Sequence, residues 1–390
     1  MRILLVSLIL PLLAFVLWWP LTVLPRAARW RRIGLSLLVA LLLPAMVVVW
    51  RSDMLGYAAI SWLQVGAGGL VLLGMLLLVF VIMRTAGWAV HALLERLLRR
   101  TPGIGLRRWH APWLTQGAVL VAALAAVLGI GNGLAVPQVR ESALLIEQLP
   151  AELDGLRIAV LADLHLTPVK GRARSEEIVR RTLAARPDLI VLPGDMVDGP
   201  VAVSGPMAAP LAGLQAPLGV WLAPGNHEVY HDYADWMAFF GQLGLPVLEN
   251  RAVSLEHNGV RFTVSGLGDL AARRAGAWGS GIPKPDLEAT LTQVPAGSRF
   301  HLMLVHQPKL AREVAASGQV DLQFSGHTHG GHIIGMDRWL VAPANHGFVR
   351  GEYQLQDMRL LVSAGAGQWD GFSARLGVPA RIDLITLRRR

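Results

Sequence analysis

Five short polar motifs, each closing an apolar run, constrain this chain more than any other feature. They read Asp163-Leu-His165, Gly194-Asp195, Gly225-Asn226-His227-Glu228, a lone His306, and Gly326-His327-Thr-His329. The runs before them are 156–162 (LRIAVLA), 188–193 (DLIVLP), 219–224 (GVWLAP), 301–305 (HLMLV) and 320–325 (VDLQFS). Short apolar runs bounded by Gly and Asp read as buried strands. Residues 175–186 read as a helix, with Glu176 and Glu177 early and arginines late, as the helix dipole favours. Strands alternating with helices predict a mixed α/β (α+β) domain. In such sheets ligands gather beyond the carboxyl ends of the strands, where every motif falls. Gly194, Gly225, Gly326, Gly330 and Gly331 lie beside the motifs, where tight turns and close backbone approach are needed.

Each motif offers Asp, Asn or His from a loop. Two metal ions held about 3.5–4 Å apart by a shared carboxylate need that kind of ligand supply. The chain has no cysteine, so every ligand must be nitrogen or oxygen, a donor set that suits Mn, Fe, Zn, Co or Ni. Asp195 is the natural bridge because the other ligands divide around it. One ion would take Asp163, His165, Asp195 and His329; the other would take Asp195, Asn226, His306 and His327. A hydroxide between them would be nucleophilic at neutral pH, since metal binding lowers the pKa of water. His227, next to a ligand, is expected as the general acid for the departing oxygen. Asp198, three residues after the bridge, would accept a hydrogen bond from His227 and orient it. Glu228 reads as loop support, and His231, His257 and His301 as ordinary structural residues. His332 and His346 read as pocket-rim or solvated loop positions, and Arg350, Arg375 and Asp370 as surface residues in preference to substrate-binding ones.

Residues 1–137 differ in kind. They hold 12 Arg, no Lys and two acids, a net +10, whereas residues 138–390 sum to −1. The basic excess therefore does not lie on the folded domain, which argues against nucleic-acid binding. Uncharged segments at 3–25, 33–50, 54–83 and 114–137 are each long enough to cross a hydrocarbon core about 30 Å thick. They predict a bundle of about four transmembrane helices acting as an anchor. Arginines crowd the loops after the first and third segments, so those loops should face the cytoplasm and the domain at 138–390 the outer face. Residues 85–100 read either as an amphipathic helix on the inner membrane surface or as an extension of the third helix. Residues 138–150 read as a short spacer.

The series DLH, GDMVDG, GNHE, H and GHTH resembles the calcineurin-like metallophosphoesterase signature across residues 154–385. The roles given to Asp163, His165, Asp195, Asp198, Asn226, His227, His306, His327 and His329 coincide with that pattern. The resemblance implies a β-sandwich flanked by helices. It extends to a bacterial membrane-associated branch similar to YkuE and YaeI, through the run from Leu153 to Ile158, Gly330-Gly331 and the stretch after Arg375. That branch commonly carries Gln where this chain has His332, and Glu near Ala380-Arg381. The resemblance implies a phosphodiester, pyrophosphate or phosphomonoester substrate. The nearness of the last membrane segment to the first catalytic strand makes a lipid-linked phosphate a specific candidate. The alternative is a non-catalytic membrane scaffold or sensor; its mark would be lost ligands, and all are retained.

Overall fold

The computed structural model describes residues 56–98, 109, 111–277 and 281–390. The described chain forms two compact units: one carries the apolar helices up to Gly131 together with Asp370–Ala374, and the other runs Asn132–Trp369 and Arg375–Arg390.

In the first unit, α1 (Tyr57–Leu97) and α2 (Pro112–Leu134) are 41 and 23 residues long. Both are long and apolar enough to cross a membrane. At 1.5 Å per residue α1 reaches about 60 Å, roughly twice a hydrocarbon core. It begins within the span expected at 54–83 and continues unbroken through Leu97, so residues 85–97 extend that helix. α2 corresponds to the span expected at 114–137. The spans expected at 3–25 and 33–50 lie outside the described residues.

The second unit is a mixed α/β fold with two sheets. The first has strand order β1-β11-β2-β3-β4, with β1 (Gln138–Ile146), β2 (Arg157–Val160), β3 (Leu189–Pro193), β4 (Val220–Ala223) and β11 (Arg381–Arg389). The second runs β5-β6-β7-β8-β10-β9, with β5 (Arg251–His257), β6 (Val260–Gly266), β7 (His301–Leu304), β8 (Leu322–Ser325), β9 (Gly351–Leu355) and β10 (Met358–Val362). The expected spacer at 138–150 is thus corrected: it opens with β1, paired in parallel with β11 from Gln138↔Arg381 to Ile146↔Arg389.

Strand periodicity of two explains the layers. Ile158, Val160, Leu189 and Val191 point between the sheets against Phe262, Leu302, Leu304, Leu322 and Phe324. Their neighbours Ala159, Leu161, Ile190 and Leu192 face outward, under α3 (Arg172–Ala184) and α4 (Tyr233–Gln242). Strands buried on both faces read as continuous apolar runs, which is why the sequence shows them clearly. Trp236 and Phe240, one turn apart on α4, are fully buried with stacked rings 5.6 Å apart. Truncating either to Ala should cost about 3–5 kcal/mol. Trp236 Nε1 also donates to the Gly199 carbonyl at 2.9 Å, which pins the loop following Asp198.

Candidate metal centre

The loops beyond β2 and β3 stay paired after the strands end. Asp163 N donates to Gly194 O at 3.1 Å, His165 N to Asp195 O at 3.1 Å, and Leu166 N to Met196 O at 2.9 Å. The backbone there is unusual: Asp163, His165, Asp195, His327 and His329 all have left-handed φ, between 44° and 72°. Five of the seven expected ligands thus sit where a non-glycine residue is held only by its surroundings. Two glycines make room for them. A Cβ on Gly225 would lie 2.3 Å from Asp195 N and Oδ1, and one on Gly326 would lie 2.7 Å from Asp163 Oδ2.

The side chains converge as two clusters. Asp163, His165 and His329 form one, and Asp195, His306 and His327 the other, with candidate ligand atoms of each within 4.8 Å of one another. In the first, His165 Nε2 faces His329 Nε2 at 3.1 Å. In the second, Asn226 Oδ1 lies 3.1 Å from His306 Nε2 and 2.7 Å from His327 Nδ1. Asp195 Oδ2 reaches toward both clusters, 3.2 Å from His306 Nε2 and 3.6 Å from His165 Nε2. The donor set fits cations. Asp163 Oδ2 is buried without a hydrogen-bond partner, a costly state that a metal bond would relieve. His306 Nδ1 faces the Pro193 carbonyl at 2.8 Å, so that nitrogen carries the proton and Nε2 is the ligand atom.

Charge reinforces the arrangement. In the protein alone, burial holds the Asp163 carboxyl above its ordinary range. Burial acts the same way on Asp195, but His306 and His227 outweigh it and keep Asp195 ionised. Burial disfavours the charged forms of His327 and His329, keeping their lone pairs available. His306 is driven the other way: burial opposes its charge, yet Asp195 prevails and pushes its pKa up to about 10.

His227 stands outside both ligand sets. Its backbone N–H donates to Asp195 Oδ1 at 2.8 Å, and its Nδ1 contacts Asp198 Oδ1 closely. Burial penalises its charged ring, but Asp198 and then Asp195 more than compensate, and its pKa is pushed up to about 9. Asp198 Oδ1 also lies 3.0 Å from His165 Nδ1, so one carboxylate orients an expected ligand and the expected acid together. Beside His227 stand Tyr230 and Trp369, with ring centres 5.5 and 6.0 Å away.

Glu228 does the supporting work expected of it. Fully buried, it accepts from Gly225 N at 2.7 Å, Met196 N at 2.6 Å and Asp195 N at 3.1 Å, which ties two ligand loops together. His301 is buried between Ser265 Oγ and the Gln319 carbonyl, and His257 ends β5. His231 lies beside the pair of Asp198 and His227, its ring centre 6.4 Å from that of His227. His332 lies with its ring 4.8 Å from His329, whereas His346 is exposed. Arg350 is tied to the Gly330 carbonyl and to Asp337, 2.9 Å away.

Arg375 and Asp370, expected at the surface, are both fully buried. Arg375 is the residue that sequence reasoning missed. It donates to the carbonyls of Ala364, Gly367, His329 and Val378 at 2.7–3.2 Å, with Nη2 3.4 Å from His329 Nδ1. A default that sends charged residues outward could not find a guanidinium whose two Nη groups are taken up by carbonyls.

Residues 156–331 match the calcineurin-like phosphoesterase family. The chain is 36% identical over 236 residues to a putative metallophosphoesterase of Caenorhabditis elegans, covering 59% of this chain and 48% of that one. It is 30% identical over 281 residues to a Bos taurus transmembrane protein with metallophosphoesterase domain, covering 70% and 62%. An uncharacterised metallophosphoesterase of Aquifex aeolicus is 30% identical over 243 residues, covering 62% of this chain and 88% of that protein. The chain therefore spans about half to three-fifths of the first two relatives and nearly all of the third. Its motif series and these matches agree, and the chain belongs to the calcineurin-like metallophosphoesterases.

Proposed function

We propose that this protein is a membrane-anchored, two-metal phosphoesterase that hydrolyses a phosphodiester, pyrophosphate or phosphomonoester. The observation that carries the reading is the pair of buried clusters sharing Asp195, with His227 held against Asp198 beside them. Asp163, His165, Asp195 and His329 would hold one divalent ion, and Asp195, Asn226, His306 and His327 the other. Bound there, the ions would supply Lewis-acid activation of water and neutralise charge on the phosphoryl group. Asp198 fixes the Nδ1 side of His227, which leaves Nε2 to give its proton to the departing oxygen. With its pKa raised to about 9, His227 carries that proton at neutral pH; neighbouring cations would lower the value toward neutrality.

Anchoring is supported by the two long apolar helices, α1 and α2, and by relatives named as transmembrane proteins. Arginine-rich loops after the first and third expected spans favour an outward-facing domain at the bacterial inner membrane. Only three residues separate α2 from β1, a tether that favours a lipid-linked phosphate over a freely soluble one. The full chain, purified in detergent with Mn²⁺, should hydrolyse bis- or mono-nitrophenyl phosphate. Metal-loaded, folded protein that cleaves neither would favour a scaffold instead. A C-terminal reporter active only outside the cytoplasm should be active; silence would reverse the orientation.

A further inference from the structure

The second unit buries its large apolar side chains with few exceptions. Among its described residues from 138 onward, the exposed ones are Leu145, Tyr230, Ile334, Trp339, Leu340 and Trp369. Three of these six fall within seven residues, with Ile334 68%, Trp339 85% and Leu340 59% exposed. The stretch begins five residues after His329. A cluster of this kind marks a surface that something covers, since burying each side chain would contribute about 1.5–3 kcal/mol.

The stretch is built and held. Ile334 N donates to Leu376 O at 3.1 Å, and Met336 N to Ile333 O at 3.0 Å. Asp337 Oδ1 accepts from Gly335 N and Arg338 N, both at 3.0 Å. Arg350 bonds Asp337 Oδ2 and the Gly330 carbonyl, so it fastens the stretch to the loop bearing His327 and His329. Because Arg350 takes up the Asp337 charge, the charge presented beside Trp339 is the exposed Arg338.

We propose that residues 334–340 are a membrane-docking strap that seats Trp339 and Leu340 in an anionic lipid interface. Two features favour lipid over a protein partner. The composition is interfacial: Trp prefers the headgroup level, Leu and Ile enter the acyl boundary, and Arg338 meets anionic headgroups. The same chain also carries helices long enough to span a bilayer, joined to β1 through three residues. Docking would bring the loop of His327 and His329 to the headgroup layer, where a phosphate on a lipid lies. The strap itself does not depend on the hydrolytic reading.

The absence of cysteine allows a direct test in the full chain. Leu340→Cys, and as a control Gln356→Cys in the exposed β9–β10 turn, would each be labelled with an environment-sensitive fluorophore. The proteins would be reconstituted into vesicles of zwitterionic and anionic phospholipid. The label at 340 should shift to the blue and be quenched by brominated acyl chains, and the label at 356 should do neither. In a Trp339→Asp background, a label on Ile334→Cys should lose its lipid quenching while the unfolding midpoint stays unchanged. Equal exposure of 340 and 356 to aqueous iodide would overturn the proposal. So would shielding at 340 without lipid quenching, which would indicate a protein partner. Because no arm reads turnover, failure of the hydrolytic reading would remain a separate result.

Discussion

The loops leaving the first sheet carry the acids and the amide of the candidate metal centre, Asp163, Asp195 and Asn226, along with His165 and His227. Those leaving the second sheet carry imidazoles alone: His306, His327 and His329. Neither set makes a complete site. In the proposed assignment each ion draws on both sheets, so metal binding would cross-link the two halves of the sandwich beyond their shared apolar core. In the protein alone these loops already meet through Asn226 Oδ1 and His327 Nδ1 at 2.7 Å, through the His327 N–H donated to Asp163 Oδ1 at 2.8 Å, and through the ion pair of Asp195 with His306 at 3.2 Å. In the proposed assignment a cation would come between the members of that ion pair.

The largest break should come from the residue common to both ions. Asp195→Asn is expected to lower turnover by about 10⁴-fold or more, several kcal/mol of lost charge stabilisation, and to reduce bound metal at both positions. Turnover together with elemental analysis checks this; full metal content would remove Asp195 from the bridge. His227→Ala separates chemistry from binding. Its rate should fall about 10²–10⁴-fold with both ions retained, and unchanged turnover would take away the acid role. Next comes the cross-link itself. At metal concentrations about 100 times the dissociation constant, loading should stabilise the fold by about 2.7 kcal/mol per site, read as a rise in unfolding midpoint that chelation reverses. Smaller again is Arg375→Met, which removes the support behind His329. Metal affinity should drop about 10–100-fold at the ion that His329 holds, while His306-dependent binding persists.

The smallest effect is one of pH. His227 and His306 have pKa values raised to about 9 and 10, above the ordinary 6.5. Their contribution to metal-free stability is fully present below about pH 6.5 and is lost as pH rises through 9 to 10. Metal must also displace the His306 proton, so affinity should climb over that range with proton release visible by calorimetry. An unfolding midpoint of metal-free protein that rises between pH 7 and 10 would contradict the Asp195–His306 pairing.

Much of this is legible in the sequence. The five strands that position the site are mostly buried on both faces, so their sequences are dominated by apolar residues, and each run stops at a motif too polar to continue it. The strand β1 had no such mark. Its outer half is exposed at a sheet edge, and its partner β11 lies more than 230 residues away, so no local pattern announces the pairing. The second role of Asp198, orienting His165 as well as His227, was hidden for a similar reason. It depends on two loops continuing to pair after their strands end. The position of Glu228 beside a ligand motif points to a supporting role, but its three amide donors from two separate loops come only from the fold.

The left-handed backbone at Asp163, His165, Asp195, His327 and His329 has a consequence for how such a chain can change. Each non-glycine residue in a sparsely populated backbone region costs on the order of 1–3 kcal/mol. Replacing His329 with Gly would delete a proposed ligand and yet relax its own turn, so a metal-free descendant would be more robust to heat than its parent. Selection for a sturdy fold and selection for a working site therefore pull in opposite directions at the same five positions. Left to drift, the chain would sooner lose its chemistry than its shape.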